Sequence, residues 1–135
     1  MYTFNLANAV RYELTVFKGD SINIEFSLSL STDNNNSPIL TQEPVIYFTV
    51  KRDYLDNDDN AVLKVSTETS EIVKIKDNII GNHRNLDYVL DIVNNKTINI
   101  LPGEYLSDMQ YCVNNITRTF AKGKVTILDH ITWRC

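Results

Sequence analysis

The clearest pattern in the chain is a strict alternation over Ile22, Ile24, Phe26, Leu28 and Leu30, with Asn23, Glu25, Ser27 and Ser29 between them. Successive side chains of a strand point to opposite faces, so this spacing predicts a long strand over 21–31 with one buried and one wet side. Lys18-Gly19-Asp20 supplies the turn that opens it, because glycine accepts the positive φ of a tight turn. Before the turn, Leu14 and Val16 predict a strand over 13–17, and Tyr2, Phe4 and Leu6 alternate with Thr3 and Asn5. The stretch 1–12 reads either as a first edge strand or as an extended arm that docks elsewhere.

Further along, Val45 to Val50 is apolar on both faces, which predicts a central strand between the polar loops 32–38 and 51–60. Short β-like runs at 61–65 and 71–75 predict a hairpin at a sheet edge. Residues 78–85, which contain Gly81, predict a turn region leading into a strand at 86–93. Residues 94–100 predict a single helical turn stopped by Pro102. Pro102-Gly103 fits the central positions of a type II turn, from which a strand leaves with Tyr105, Ser107, Met109, Tyr111 and Val113 on one face. Asn114-Asn115 predicts a tight turn into 116–120, and Gly123 predicts a bulge or bend in the last strand. Eight or nine short strands and at most one short helical turn predict a single all-β domain over 1–135, a sandwich or barrel by its spacing.

Composition narrows the function classes. With 135 residues, 43% hydrophobic and 22% charged, the chain can bury a core without staples, and a net charge of −4 gives no basic footprint for nucleic acid. No apolar run approaches the roughly 18 residues of a membrane span. The first dozen residues lack a basic start followed by an apolar region, so the expectation is a soluble chain without a classical export signal and without a membrane partner. Cys112 and Cys135, the two cysteines, are too few for a metal cluster or a disulfide framework; Cys112, inside a strand pattern, is expected to act as a small buried hydrophobe. The glycosylation-type tripeptides at Asn35, Asn95 and Asn115 carry little weight without an export signal.

Candidate chemistry is sparse. Asp56, Asp58 and Asn60 begin a calcium-loop spacing, but Ala61 stands where the loop needs glycine and Thr67 where it needs a bidentate glutamate. A solvated loop without metal or cofactor is the reading. His83 and His130 stand in no recognisable relation to a nucleophile, and Asp87 and Asp91 read as the wet side of a strand. Tyr47, Tyr54, Tyr88 and Trp133 could form an aromatic platform for sugar, the basis of an alternative reading as a glycan-binding module for cell-surface attachment. No catalytic residue is assigned, and the chain is not expected to be an enzyme.

The order Gly19-Asp20 before a long alternating strand, Leu101-Pro102-Gly103-x-Tyr105 followed by Asp108-Met109, then Gly123 and a last strand ending at Ile131-Thr132, carries a resemblance. It resembles the small immunoglobulin-like β-sandwich proteins of tailed bacteriophages and is similar to the N-terminal domain of upper baseplate proteins, from Leu14 to Thr132. The resemblance implies an immunoglobulin-like antiparallel sandwich made in the bacterial host cytoplasm and built into the virion as a tail, baseplate, fibre or head-associated component. Its partners would be other virion proteins and itself, as a homo-oligomer. In that family pattern Gly19 and Asp20 close the first turn, and Pro102 and Gly103 launch the strand. Tyr105 is a corner residue whose hydroxyl ties the strand to an adjoining connection, Asp108 hydrogen-bonds locally on the sheet surface, and Gly123 lets the last strand bend. Docking is expected through Tyr2, Phe4 and Leu6 of the arm and through Ile131 and Trp133 near the tail 131–135.

Overall fold

The computed structural model describes residues 2–5, 10–31, 42–53, 61–81, 83–113 and 115–129. Their strands are β1 (Tyr2–Asn5), β2 (Val10–Phe17), β3 (Ile22–Ser31), β4 (Val45–Lys51), β5 (Leu63–Ser66), β6 (Ile72–Ile80), β7 (His83–Ile92), β8 (Gly103–Val113) and β9 (Ile116–Leu128). One helical turn, α1 (Asn94–Thr97), joins β7 to β8. A four-stranded sheet in the order β1-β3-β7-β6 packs on a five-stranded sheet in the order β2-β9-β8-β4-β5. This is an immunoglobulin-like sandwich: the first sheet has the A-B-E-D order, and the second is the G-F-C sheet extended by β2 on one side and β5 on the other. Every pairing is antiparallel except those of the two N-terminal strands, since β1 runs parallel to β3 and β2 parallel to β9.

The alternation in the sequence becomes the core directly. Phe26, Leu28 and Leu30 of β3 are buried against Leu86, Tyr88, Leu90 and Ile92 of β7. From the other sheet, Tyr105, Ser107, Met109, Tyr111 and Val113 of β8 all turn inward, as do Ile46, Phe48 and Val50 of β4. Two ring pairs fill the layer between the sheets. Phe26 and Tyr88 stack with centroids 5.4 Å apart, and Tyr111 and Phe120 lie tilted at 6.5 Å. Such pairs add about 1 kcal/mol each to the area they bury. The central position expected of β4 is also observed, between β8 and β5.

Other expectations are corrected. The runs at 61–65 and 71–75 do not form a hairpin: β5 pairs with β4 and β6 with β7, so the chain crosses from one sheet to the other between them. The crossing is shaped locally, because the Ser66 hydroxyl accepts from the amides of Glu68 and Thr69 and Ser70 takes a φ of 70°. Residues 78–80 and 83–85, expected as part of a turn, extend β6 and β7 on either side of a two-residue link at 81–82.

The type II turn expected at Pro102-Gly103 falls elsewhere. Gly103 has a φ of 151°, far from the roughly +80° of that turn, whereas Gly19 has a φ of 82° and Asp20 donates its amide to the Phe17 carbonyl at 2.9 Å. The bulge of β9 is not at Gly123 either. The register shift lies three residues earlier, where the ladder passes from Met109–Ala121 to Gln110–Thr119 and leaves Phe120 as the extra residue. Cys112, expected to be buried, is half-buried, because β8 turns alternate residues outward.

Candidate functional site

The sandwich brings three groups of residues together that stand apart in sequence. The first is a seam between β2, β9 and β8. Tyr12 is the register partner of Gly123, and Gly123 is in turn the partner of Ser107. A Cβ at position 123 would lie 2.2 Å from the Tyr12 carbonyl oxygen and 2.6 Å from its Cδ2, so glycine is required for β2 and the Tyr12 ring to lie against β9. The Tyr12 hydroxyl then reaches the Ser107 hydroxyl, with the oxygens 2.5 Å apart.

The second is a charged cluster at the open side of the sandwich, where β6 forms the edge of its sheet. Arg84 is inward-facing and 4% exposed, and its Nε and Nη2 donate to the two carboxylate oxygens of Asp77 at 2.9 and 2.7 Å. Its Nη1 donates to the Gln42 carbonyl at 2.7 Å. Lys74 Nζ joins Glu43 at 2.8 Å and Asp77 at 3.1 Å. The guanidinium hydrogen bonds hold the Asp77 carboxyl down at about 2, against the smaller opposing effect of burial. The hydrogen bond to Glu43 raises Lys74, and burial raises Tyr88, whose hydroxyl is enclosed without a hydrogen-bond partner. The Arg84 fork is already engaged by a carboxylate and a carbonyl, so this cluster closes the gap between the sheets and offers no open cation to an anion.

The third group is apolar and exposed. At one end of the sandwich, Phe17 and Leu128 are register partners at the ends of β2 and β9, and Lys18 donates its amide to the Leu128 carbonyl at 2.7 Å. At the same end Val93 follows β7, while Ile98 and Leu101 follow α1. The buried Thr97 donates its hydroxyl to the Asp20 carbonyl at 2.7 Å, tying α1 to the β2–β3 turn. These five side chains are 40–58% exposed. They share this end of the sandwich and not one face: Phe17 and Leu128 follow the inward-turned Val16 and Ile127 on the outside of the five-stranded sheet, whereas Val93 follows the inward Ile92 of the other sheet. Sequence patterning misses the group, because its members come from four segments that are neighbours only in the folded chain.

The residues singled out in sequence are distributed as follows. Gly19 and Asp20 form the β2–β3 turn. Tyr105 is buried at the start of β8, and its hydroxyl donates to the Leu101 carbonyl at 2.5 Å. Pro102 and Gly103 lie exposed between those two ends. Asp108 is on the outward side of β8, opposite Thr49 and Lys122. Tyr2 and Phe4 belong to β1, paired with Phe26 and Leu28; Leu6, Ile131 and Trp133 lie outside the described residues, as do Asp56, Asp58, Asn60, Tyr54 and His130.

Of the aromatic platform, the two described members do not come together. Tyr88 is fully enclosed in the core, while Tyr47 donates its hydroxyl to Glu68 on the outside of the other sheet. Among the described residues no three His, Cys, Asp or Glu side chains are grouped to hold a metal ion. Asp87 and Asp91 face outward, accepting from Ser27 and Asn23 of β3. An apolar cavity of about 20 Å³ lies among Tyr12, Leu14, Ile24, Phe26, Phe48, Leu90 and Met109, far too small for a ligand, and the larger hollows are shallow surface grooves such as one of about 540 Å³ beside Arg11, Leu106 and Lys122.

No protein-family model matches the sequence, and no curated protein is detectably similar to it. Among solved structures, the chain is similar to part of a family 123 glycoside hydrolase from Clostridium perfringens that acts on glycolipid glycans. The identity is 14% over 90% of this chain and 23% of that one, with a TM-score of 0.43. It is also similar to part of the CupB6 tip adhesin from Pseudomonas aeruginosa, at 11% identity over 91% of this chain and 42% of the adhesin, with a TM-score of 0.35. The chain thus spans less than half the length of either protein.

Proposed function

We propose that this chain is a non-enzymatic structural component of a tailed-phage virion, working by symmetric assembly or as an adaptor for another virion protein. The observation that carries the assembly reading is the apolar character of one end of the sandwich, where Phe17, Val93, Ile98, Leu101 and Leu128 are each 40–58% exposed. The phage setting rests on the resemblance of the turn and strand motifs at Gly19-Asp20 and Leu101-Pro102-Gly103-x-Tyr105. An apolar surface of this kind at the end of a rigid sandwich suits stacking against a neighbouring component, while the hydrogen bonds of Thr97 and Tyr105 hold the end in shape.

The test is incorporation into particles. Leu101→Lys places a charge on this surface at a position 58% exposed, so the domain keeps its fold. The expected result is a folded protein missing from purified particles. Normal incorporation of the variant would overturn the role of this surface.

A further inference from the structure

Edges of sheets are the natural places for one chain to pair with another, and natural proteins shorten or disrupt them. Here β1 and β5 are four residues long, but the edge strand β6 has nine residues and exposes Val73, Ile75, Ile79 and Ile80 by 48–65%. Its ladder with β7 shifts between Lys74 and Lys76, leaving Ile75 as the extra residue. Opposed residues of an antiparallel pair share a face, so the buried partners Leu90, Tyr88, Leu86 and Arg84 place Ile72, Lys74, Asp77 and Ile79 on the inner side. Val73, Lys76, Asn78 and Ile80 take the outer side, opposite Val89, Asp87, Asn85 and His83.

This pattern is self-complementary about the point between Ile75 and Lys76. We propose that β6 pairs antiparallel with β6 of a second copy of this chain about a two-fold axis at that point. In that register the inner Lys74 meets Asp77 of the second copy and the inner Ile72 meets Ile79. On the outer side Val73 meets Asn78, and Ile75 meets Lys76. Lys74 and Asp77, bonded to each other within each chain, would thus also set opposite charges across the contact, and every opposed pair lies on one face. Shifting the full strand by one residue puts inner side chains opposite outer ones, and shifting it by two keeps the outlying pairs on one face but sets an inner residue against an outer one at the irregularity. The bulge, which ordinarily deters pairing, therefore makes this the alignment in which every opposed pair shares a face. The product is a continuous eight-stranded sheet across two sandwiches, with an isologous interface.

The contact rests on the assembly reading for its partner, yet it is measured on the full chain in solution by sedimentation velocity. The expected result is a reversible dimer. Ile75→Lys places two like charges against Lys76 of the neighbour and weakens dimerisation at least about tenfold, whereas Ile75→Asp preserves or tightens it. Ile75 lies outside the ladder and half exposed, so both variants retain the fold. As a second check, Val73→Lys weakens the dimer and adding Asn78→Glu restores it. A protein monomeric at about 0.1 mM, or equal weakening by Lys and Asp at position 75, overturns the proposal. A wild-type protein that stays monomeric yet enters particles overturns this contact alone, and a dimer that never enters particles overturns the virion role alone.

Discussion

Tyr12 of β2 lies across Gly123 of β9, its partner in the parallel ladder, and its hydroxyl meets Ser107 of β8 beyond it. The glycine is thus a space requirement set by the backbone and ring of a residue more than a hundred positions earlier in the chain, which no local sequence records; what ties the two positions is the pairing of the first long strand with the last. Gly123→Ala forces the ring and strand apart and is expected to destabilise the domain by about 3 kcal/mol, measured by urea denaturation. Tyr12→Phe keeps the packing and removes only the hydroxyl, and is expected to cost about 1 kcal/mol. Equal stability of wild type and Gly123→Ala would contradict the close approach.

Tyr105 ties the start of β8 to the connection that precedes it, through a hydrogen bond to the Leu101 carbonyl. Tyr105→Phe retains the buried ring and loses this tie, with an expected destabilisation of about 1 kcal/mol in chemical denaturation. Amide hydrogen exchange should rise at 99–103 and stay unchanged in β3. Uniform change across both sheets would count against a local tie.

Asp77 gives the domain a defined acid sensitivity. Its carboxyl is held at about 2 by Arg84, against 3.8 for the free group, so folding favours the ionised form. The resulting stability is complete above the unfolded value and is lost as the pH falls from about 4 towards 2. The side chain retains 27% exposure, and solvent screening reduces the expected contribution to roughly 1 kcal/mol. Asp77→Asn should remove that part of the pH dependence while leaving the rest; an identical acid limb in the variant would refute the assignment.

The first strand is expected to separate folding from assembly. β1 pairs through only four residues, parallel to β3, at the edge of its sheet. Deleting residues 1–9 should leave the remaining eight strands folded, with Tm lowered by about 5 °C. On the assembly reading the truncated protein fails to enter particles, and its unchanged incorporation would dismiss a docking role for this strand.

Local alternation determined most of the strands, including the long inward rows of β3 and β8, because a side chain's face follows from its position along an extended backbone. It also located the helical turn at 94–97 and the turn at Gly19-Asp20, where residue chemistry acts over three or four positions. Pairing between distant strands was another matter. The runs at 61–65 and 71–75 look like two arms of a hairpin, yet each completes a different sheet, since short apolar strands carry no label for their neighbours. Arg84 falls in the expected turn region and Asp77 in no expected strand, until β6 and β7 place them on one inner face and couple their charges. The apolar end assembled from Phe17, Val93, Ile98, Leu101 and Leu128, and the reason for Gly123, were likewise decided only by tertiary structure. Burial and contact depend on which distant segments the two sheets bring together, whereas strand formation depends on residues a few positions apart.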